Sequence, residues 1–206
     1  MTNESSNHMQ SNRRQSRKFA KSVIVYLHDL AYLLAIIMLL FLLFFRVVVV
    51  SGSSMKDTLV DGDYLLLLSN TFYTQPQQGD IIVASKDSFD NGDPIIKRVI
   101  AVAGQWVDID YETGTVYVDG VAIEESGYIS SATIKPWNGA TEFPLQVAEN
   151  CIFVMGDNRS NSHDSRNADI GMIDCREVLG KAIFLFLPGT QKGSMPRNFE
   201  RIGTLS

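Results

Sequence analysis

The chain has 206 residues, 45% of them hydrophobic and 20% charged, with a net charge of −5. That length fits one ordinary domain plus an extra segment, and the apolar content permits a packed core and excludes a disordered chain. The negative balance gives no global attraction to nucleic acid.

Residues 1–12, MTNESSNHMQSN, are polar and expected to be disordered. Arg13, Arg14, Arg17, Lys18 and Lys21 follow with no acid among them. Leu30 to Phe45 then reads LAYLLAIIMLLFLLFF, with Tyr32 its one polar side chain. As a helix, Ile24 to Phe45 would span roughly 33 Å, enough for a bilayer core, with His28 and Asp29 near one interface. The basic cluster precedes this segment and only Arg46 follows it directly. The positive-inside rule therefore places the N-terminus in the cytoplasm and everything after Arg46 outside. The expected organisation is a basic cytoplasmic tail (1–22), a transmembrane helix (23–46) and an external domain (47–206). A cleaved secretory signal would share the basic start, the apolar run and the small residues Ser51 and Gly52. Its apolar core is usually only about 7–15 residues, and a cut here would fall inside a serine cluster.

Past the membrane segment the patterns are those of strands. VVVV (47–50), YLLLL (64–68), DIIVA (80–84) and IIKRVIAVA (95–103) are short, β-branched or apolar, and bounded by Gly, Asp, Asn and Pro. Asp61-Gly62-Asp63 and Gly79-Asp80 signal turns just before strands. VYVDGVAI (116–123) flanks Asp119-Gly120 with two apolar arms. That pair is favoured in a two-residue type I′ hairpin because both positions need positive φ. DIDYETGTVYV (108–118) reads as a further hairpin around Thr113-Gly114. CIFVMG (151–156) and KAIFLFL (181–187) return to core-strand character. Glu124 to Ala148, with Pro136, Trp137, Gly139 and Pro144, has no clear period and reads as a looser cap within an insert spanning about 106–148. Cys151 and Cys175 are too few for a disulfide framework or a zinc site, and their spacing leaves open whether they pair.

The stretch VVVVSGSSMKDTL (47–59) places Ser51, Ser53 and Ser54 close together and raises the question of a nucleophile. Such a serine needs a base within hydrogen-bond reach. His8 would lie on the cytoplasmic side and His28 in or at the membrane, which leaves His163 and the lysines. Strand alternation puts Lys97 on a face with Ile95 and Val99, and Arg98 with Ile96 and Ile100. Either one basic side chain faces in, or the strand lies at an edge with both solvated. A lysine buried among aliphatics has a lowered pKa, and its neutral amine can accept a proton. MGDNRSNSHDSR (155–166) has turn character and supplies Asp157, Arg159, Asp164 and Arg166. It is either a surface turn with ion pairs or a loop stiffened by buried bidentate Arg–Asp contacts. Ser160 and Ser162 are both able to orient an amine.

Three stretches, SGSSMKDTL (51–59), IIKRVIAVAG (95–104) and MGDNRSNSHDSR (155–166), in this order behind one membrane helix, resemble the bacterial type I signal peptidases. These are serine–lysine proteases that remove signal peptides from exported proteins. The family pattern G-x-S-M-x-P-T-L matches Gly52 to Leu59 at all but one fixed position. Its G-D strand starts match Gly62-Asp63 and Gly79-Asp80, and its lysine strand matches Lys97-Arg98-Val99-Ile100. G-D-N-R-x-x-S-x-D-S-R matches Gly156 to Arg166 completely. The likeness runs from about Val47 to Pro188.

The resemblance implies a mainly β fold: one N-terminal transmembrane helix followed by an external antiparallel β-sheet catalytic domain with a small inserted cap. It implies Ser54 as nucleophile, Lys97 as general base and Ser162 as the serine that orients the lysine. Asp157, Arg159, Asp164 and Arg166 would support the site, and His163 falls at a variable position as a bystander. The reaction would pass through an acyl-enzyme with no cofactor or metal, cutting after small residues. Met55, Leu59 and Ile95 are candidates for lining the shallow substrate pockets. The implied partners are exported preproteins and the lipid bilayer, with no nucleic acid, and the implied location is the cell membrane. This chain departs from the pattern in three places. Asp57 stands for a proline, which removes a φ constraint though aspartate suits a turn. Gly52 occupies a position where some members offer a serine hydroxyl to the oxyanion. Ala101 to Gln105 replaces G-L-P-G-D. Asp57 keeps open a second reading, a non-catalytic membrane-tethered relative serving as a chaperone of surface-fibre assembly. Such a protein would lose Ser54 or Lys97, and both are present. A self-cleaving repressor of related fold would need a DNA-binding domain in place of the membrane helix.

Overall fold

A computed structural model describes residues 3–86, 89, 92–136, 139–190 and 196–205. The chain divides into two compact units, Met1–Leu43 and Phe44–Ser206. The first is helical. Helix α1 runs Asn3–Phe44, so the polar start expected to be disordered is helical from Asn3. Its stretch Lys21–Phe44 is long and apolar enough to cross a membrane. Val, Ile, Leu and Phe side chains are exposed all around this stretch. A helix that is apolar on every face suits an apolar solvent rather than water.

The second unit is built of antiparallel strands. They are β1 (Phe45–Val49), β2 (Tyr64–Ser69), β3 (Ile81–Ala84), β4 (Ile95–Val102), β5 (Trp106–Asp110), β6 (Thr115–Val118), β7 (Val121–Ala122), β8 (Leu145–Gln146), β9 (Cys151–Met155), β10 (Ile173–Asp174), β11 (Val178–Leu187) and β12 (Gly203–Thr204). The larger sheet has the order β1-β2-β11-β3-β4-β9-β10, with β12 also paired to β11. The smaller sheet has the order β7-β6-β5-β8 and lies in the stretch between β4 and β9. The fold is mainly β with one N-terminal apolar helix, as the sequence implied.

Each expected strand is present. The β6–β7 turn has Asp119 at φ 53 and Gly120 at φ 78, the two positive values that a type I′ hairpin needs. The two-residue strands β8, β10 and β12 had no periodic signal. The 124–144 stretch has no regular strand or helix among its described residues, and residues 137 and 138 lie outside the description.

Alternation explains the core. On β3, Ile81 and Val83 enter one cluster with Met55, Leu59, Leu65, Leu67 and Leu185, while Ile82 and Ala84 enter another with Val99 and Val154. On β9, Phe153 and Met155 meet Val107, Ile109 and Val116 of the small sheet, while Ile152 and Val154 face the other way. Both strands are covered on two faces, which is why they read as unbroken apolar runs. Cys151 and Cys175 are free thiols, one packed against the cluster that holds Phe153 and the other against the cluster that holds Ile152.

Strand β4 lies between β3 and β9, with Lys97 opposite Ile82 and Arg98 opposite both Ile81 and Met155. It is not an edge strand, and both basic side chains are buried, Lys97 at 4% and Arg98 at 2% exposure.

The turn before β2 is fastened by Asp63, which is fully buried. Its carboxylate accepts from Val60 N at 2.8 Å, Gly189 N at 2.7 Å and two nitrogens of Arg201 at 2.8 and 2.6 Å. Asp63→Ala would strand these donors. We expect a loss of about 3 kcal/mol, read as a lower urea midpoint for the purified protein in detergent. An unchanged midpoint would show that the C-terminal tie contributes nothing to stability.

Candidate active site

After β1 the chain turns sharply. Gly52 takes φ +92 and donates its N–H to Asp61 Oδ1 at 2.9 Å. A short helical turn follows, closed by Lys56 N to Ser53 O at 3.1 Å and Leu59 N to Met55 O at 2.6 Å. Met55 and Leu59 are four apart, so they share a face. Both are core residues, at 2% and 0% exposure. Both pack into the core cluster under the turn and bolt it to the sheet, so any contact they make with a substrate would be from the floor of a pocket. Ile95, the third candidate for a pocket, is half-buried.

Bolting Met55 and Leu59 inward leaves Ser54 half-exposed at the surface of the turn. Lys97 approaches it from β4, with Nζ 2.8 Å from Ser54 Oγ and 3.1 Å from Ile96 O. Burial pushes the Lys97 pKa down to about 8. Asp164 opposes the shift, Arg166 reinforces it, and Asp157 opposes it more weakly. No described acceptor takes the Ser54 amide proton, which leaves it free at the surface.

The 156–166 loop forms the floor. Ser54 O accepts from Asn158 N at 3.0 Å. A Cβ on Gly156 would collide with both Ser54 O and the Ser162 side chain, so only glycine lets these two segments close on each other. Ser162 Oγ is buried and makes no hydrogen bond among the described residues. It sits on the same floor as Ser54, but the Lys97 amine bonds Ser54 and Ile96 rather than Ser162. Ser160 lies outward, bonded to Asn158 Oδ1 at 3.2 Å. His163 bonds Asp169 at 2.9 Å and packs edge-on against Phe89, away from the Ser54–Lys97 contact.

The buried ion pairs are distributed differently from the sequence expectation. Only Asp164 and Arg166 pair within the loop, through two 2.8 Å bonds. Burial raises the Asp164 carboxyl, yet the Arg166 contacts, the Gly156 N–H and the nearby Ser162 hydroxyl hold it below the usual carboxylate range. Asp157 pairs with Arg98 of β4 through two 2.9 Å bonds and accepts from Thr58 Oγ1. Arg159 forks onto Glu125 and reaches Thr133 Oγ1 at 2.8 Å. Arg166 also donates to Ile134 O at 2.9 Å. Arg98 lies over the Tyr128 ring, 4.1 Å from its centroid. Sequence reasoning missed Thr58, Glu125, Tyr128 and Thr133. The last three sit in the stretch without periodicity, where nothing marked them. Arg98 was visible as one of two adjacent basic residues, but its partner was not.

An open groove of about 650 Å³ flanks Ser162, lined also by Ile134, Lys135, Ser160 and Asn161. Among the described residues, no group of three or more His, Cys, Asp or Glu side chains is placed to hold a metal ion. A serine hydroxyl against a desolvated amine, beside a free amide N–H, suits nucleophilic acyl transfer.

Comparison with known proteins agrees with this chemistry. The family model described as signal peptidase, peptidase S26, matches residues 23–187. A signal peptidase I of Bacillus amyloliquefaciens is 34% identical over 160 residues, covering 75% of this chain and 80% of that protein. A signal peptidase I of Bacillus licheniformis is 33% identical over 150 residues, covering 70% and 77%. A crystal structure of a signal peptidase I from Enterococcus faecalis is 31% identical, covers 52% of this chain and 96% of its own, and superposes with a TM-score of 0.39. The chain belongs to peptidase family S26, the signal peptidases.

Proposed function

We propose that this signal peptidase removes signal peptides from exported preproteins with Ser54 as nucleophile and neutral Lys97 as general base. The observation that carries the assignment is the 2.8 Å contact between Ser54 Oγ and the buried Lys97 amine. Ser54 Oγ attacks the scissile carbonyl and its proton passes to Lys97 Nζ. The Ser54 N–H donates to the developing oxyanion. Lys97 then gives the proton to the leaving amine, and an ester links the signal peptide to Ser54. Water, deprotonated by Lys97, hydrolyses that ester and restores the serine.

Ser162 would accept an N–H from Lys97 once the two side chains close on each other, which would keep the amine's lone pair on Ser54. Its buried hydroxyl, on the same floor as Ser54, supports this role. Asp157, Arg159, Asp164 and Arg166 hold the floor and its flanking segments in place. The substrate binds as an extended chain across Ser54, with small residues before the cut.

We also propose one membrane span, with the basic tail in the cytoplasm and the β unit on the outer face of the cell membrane. The apolar stretch Lys21–Phe44 supports the span, and the cluster from Arg13 to Lys21 supports the orientation. That arrangement keeps the site close to substrates whose cleavage sites emerge at the bilayer. The chaperone reading has no support.

Cleavage of a preprotein in detergent tests the dyad. Ser54→Ala and Lys97→Ala should each lose about 10⁴-fold in kcat, whereas His163→Ala should stay within about twofold of wild type. Activity in Lys97→Ala with loss in His163→Ala would mean that the base is misassigned. Since only the neutral amine accepts a proton, kcat/KM should rise with pH through a midpoint of about 8 and fall tenfold per unit well below it. A midpoint near the ordinary histidine value of about 6.5 would contradict Lys97 as the base. Gly156→Ala should lower kcat by about 10²-fold, because the added methyl separates Ser54 from the floor. Wild-type kcat in that variant would show that the close approach is not needed.

A further inference from the structure

We infer that Asp57 is a positioning residue for Ser54, latching the nucleophile turn to the 124–136 segment through Ser130. The inference rests on Ser54 being the nucleophile. Asp57 occupies the place where the resembling pattern has a proline, so the turn lacks that residue's fixed φ. In its place stands a contact. Asp57 Oδ2 accepts from Ser130 N at 2.9 Å and from Ser130 Oγ at 2.8 Å.

Ser130 belongs to a segment that the site's own arginines hold. Arg159 grips Glu125 and Thr133, Arg166 grips Ile134 O, and the Tyr128 ring lies against Arg98. Arg159 and Arg166 come from the same loop that grips the nucleophile turn. There Asn158 Nδ2 donates to Ser53 O at 2.9 Å, Asn161 Nδ2 donates to Ser53 Oγ at 2.9 Å, and Asn158 N donates to Ser54 O. The turn, the floor loop and the 124–136 segment therefore form a closed ring. The Asp57–Ser130 contact joins the turn to the segment, and it lies three residues from Ser54 in the same turn. Without it the ring opens and the floor loop alone braces the turn.

Both bonds are solvent-exposed, so their contribution to stability is small. Their leverage is on geometry, where a displacement of about 1 Å costs on the order of 10²-fold in rate. The effect belongs in kcat rather than in KM or in the unfolding midpoint.

The test uses the full chain in detergent with one preprotein substrate, comparing wild type, Ser54→Ala, Asp57→Ala, Asp57→Asn, Ser130→Ala and the Asp57→Ala/Ser130→Ala pair. The latch predicts that Asp57→Ala loses about tenfold in kcat, with KM within twofold and the urea midpoint unchanged. Asp57→Asn, which keeps an acceptor oxygen, recovers most of the rate, and the double variant is no slower than Asp57→Ala. Wild-type kcat in Asp57→Ala, a loss confined to KM, no recovery with asparagine, or multiplied losses in the double variant would overturn the latch. Cleavage by Ser54→Ala would overturn the nucleophile assignment and the latch with it, whereas an inactive Ser54→Ala beside a fully active Asp57→Ala overturns the latch alone.

Discussion

Keeping the Lys97 amine out of water, without an ion-pair partner, is the constraint on which the site depends. Among the described residues its Nζ bonds a hydroxyl and a backbone carbonyl and no carboxylate. An unpaired acid nearby would restore the charged form and remove the proposed base. Two acids do stand close enough to act on it, Asp164 and Asp157. Each is already engaged by a guanidinium through two hydrogen bonds, Asp164 by Arg166 and Asp157 by Arg98. The arginines thus do two things at once. They satisfy buried carboxylates that would otherwise be costly, and they weaken the pull of those carboxylates on the lysine.

The same pairs build the geometry. Each buried guanidinium reaches a segment distant in the chain: Arg98 on β4 reaches the floor loop, and Arg159 and Arg166 reach the irregular 124–136 segment. A planar fork that must be satisfied in full, in a place water does not enter, admits few arrangements of the backbone around it. An irregular segment with little apolar anchoring is thereby fixed at several points along its length. Gly156 completes the arrangement, because its missing side chain is the space into which the Ser54 and Ser162 segments close.

Much of this was legible in the sequence because it follows from short-range rules. Unbroken runs such as IIVA and CIFVM marked strands covered on both faces, and Asp119-Gly120 marked its own turn. Long-range facts were not legible. Nothing near Lys97 says whether its strand is interior, since that depends on β3 and β9 arriving from either side. Asp157 was expected to serve an arginine of its own loop, yet it serves one 59 residues away. Glu125 had no local pattern to mark it. Met55 and Leu59 show a different limit of local reasoning. An apolar residue beside a nucleophile suggests a pocket, but a four-residue spacing in one helical turn sends both side chains to the core.

A lysine tuned chiefly by burial also implies a role for the substrate. With a pKa of about 8, roughly a tenth of the free enzyme carries the neutral amine at pH 7. The amine is otherwise enclosed, and its neighbour Ser54 is the half-exposed member of the pair. A peptide laid across Ser54, as the proposed reaction requires, would cover that opening. Further desolvation lowers the pKa again and raises the neutral fraction.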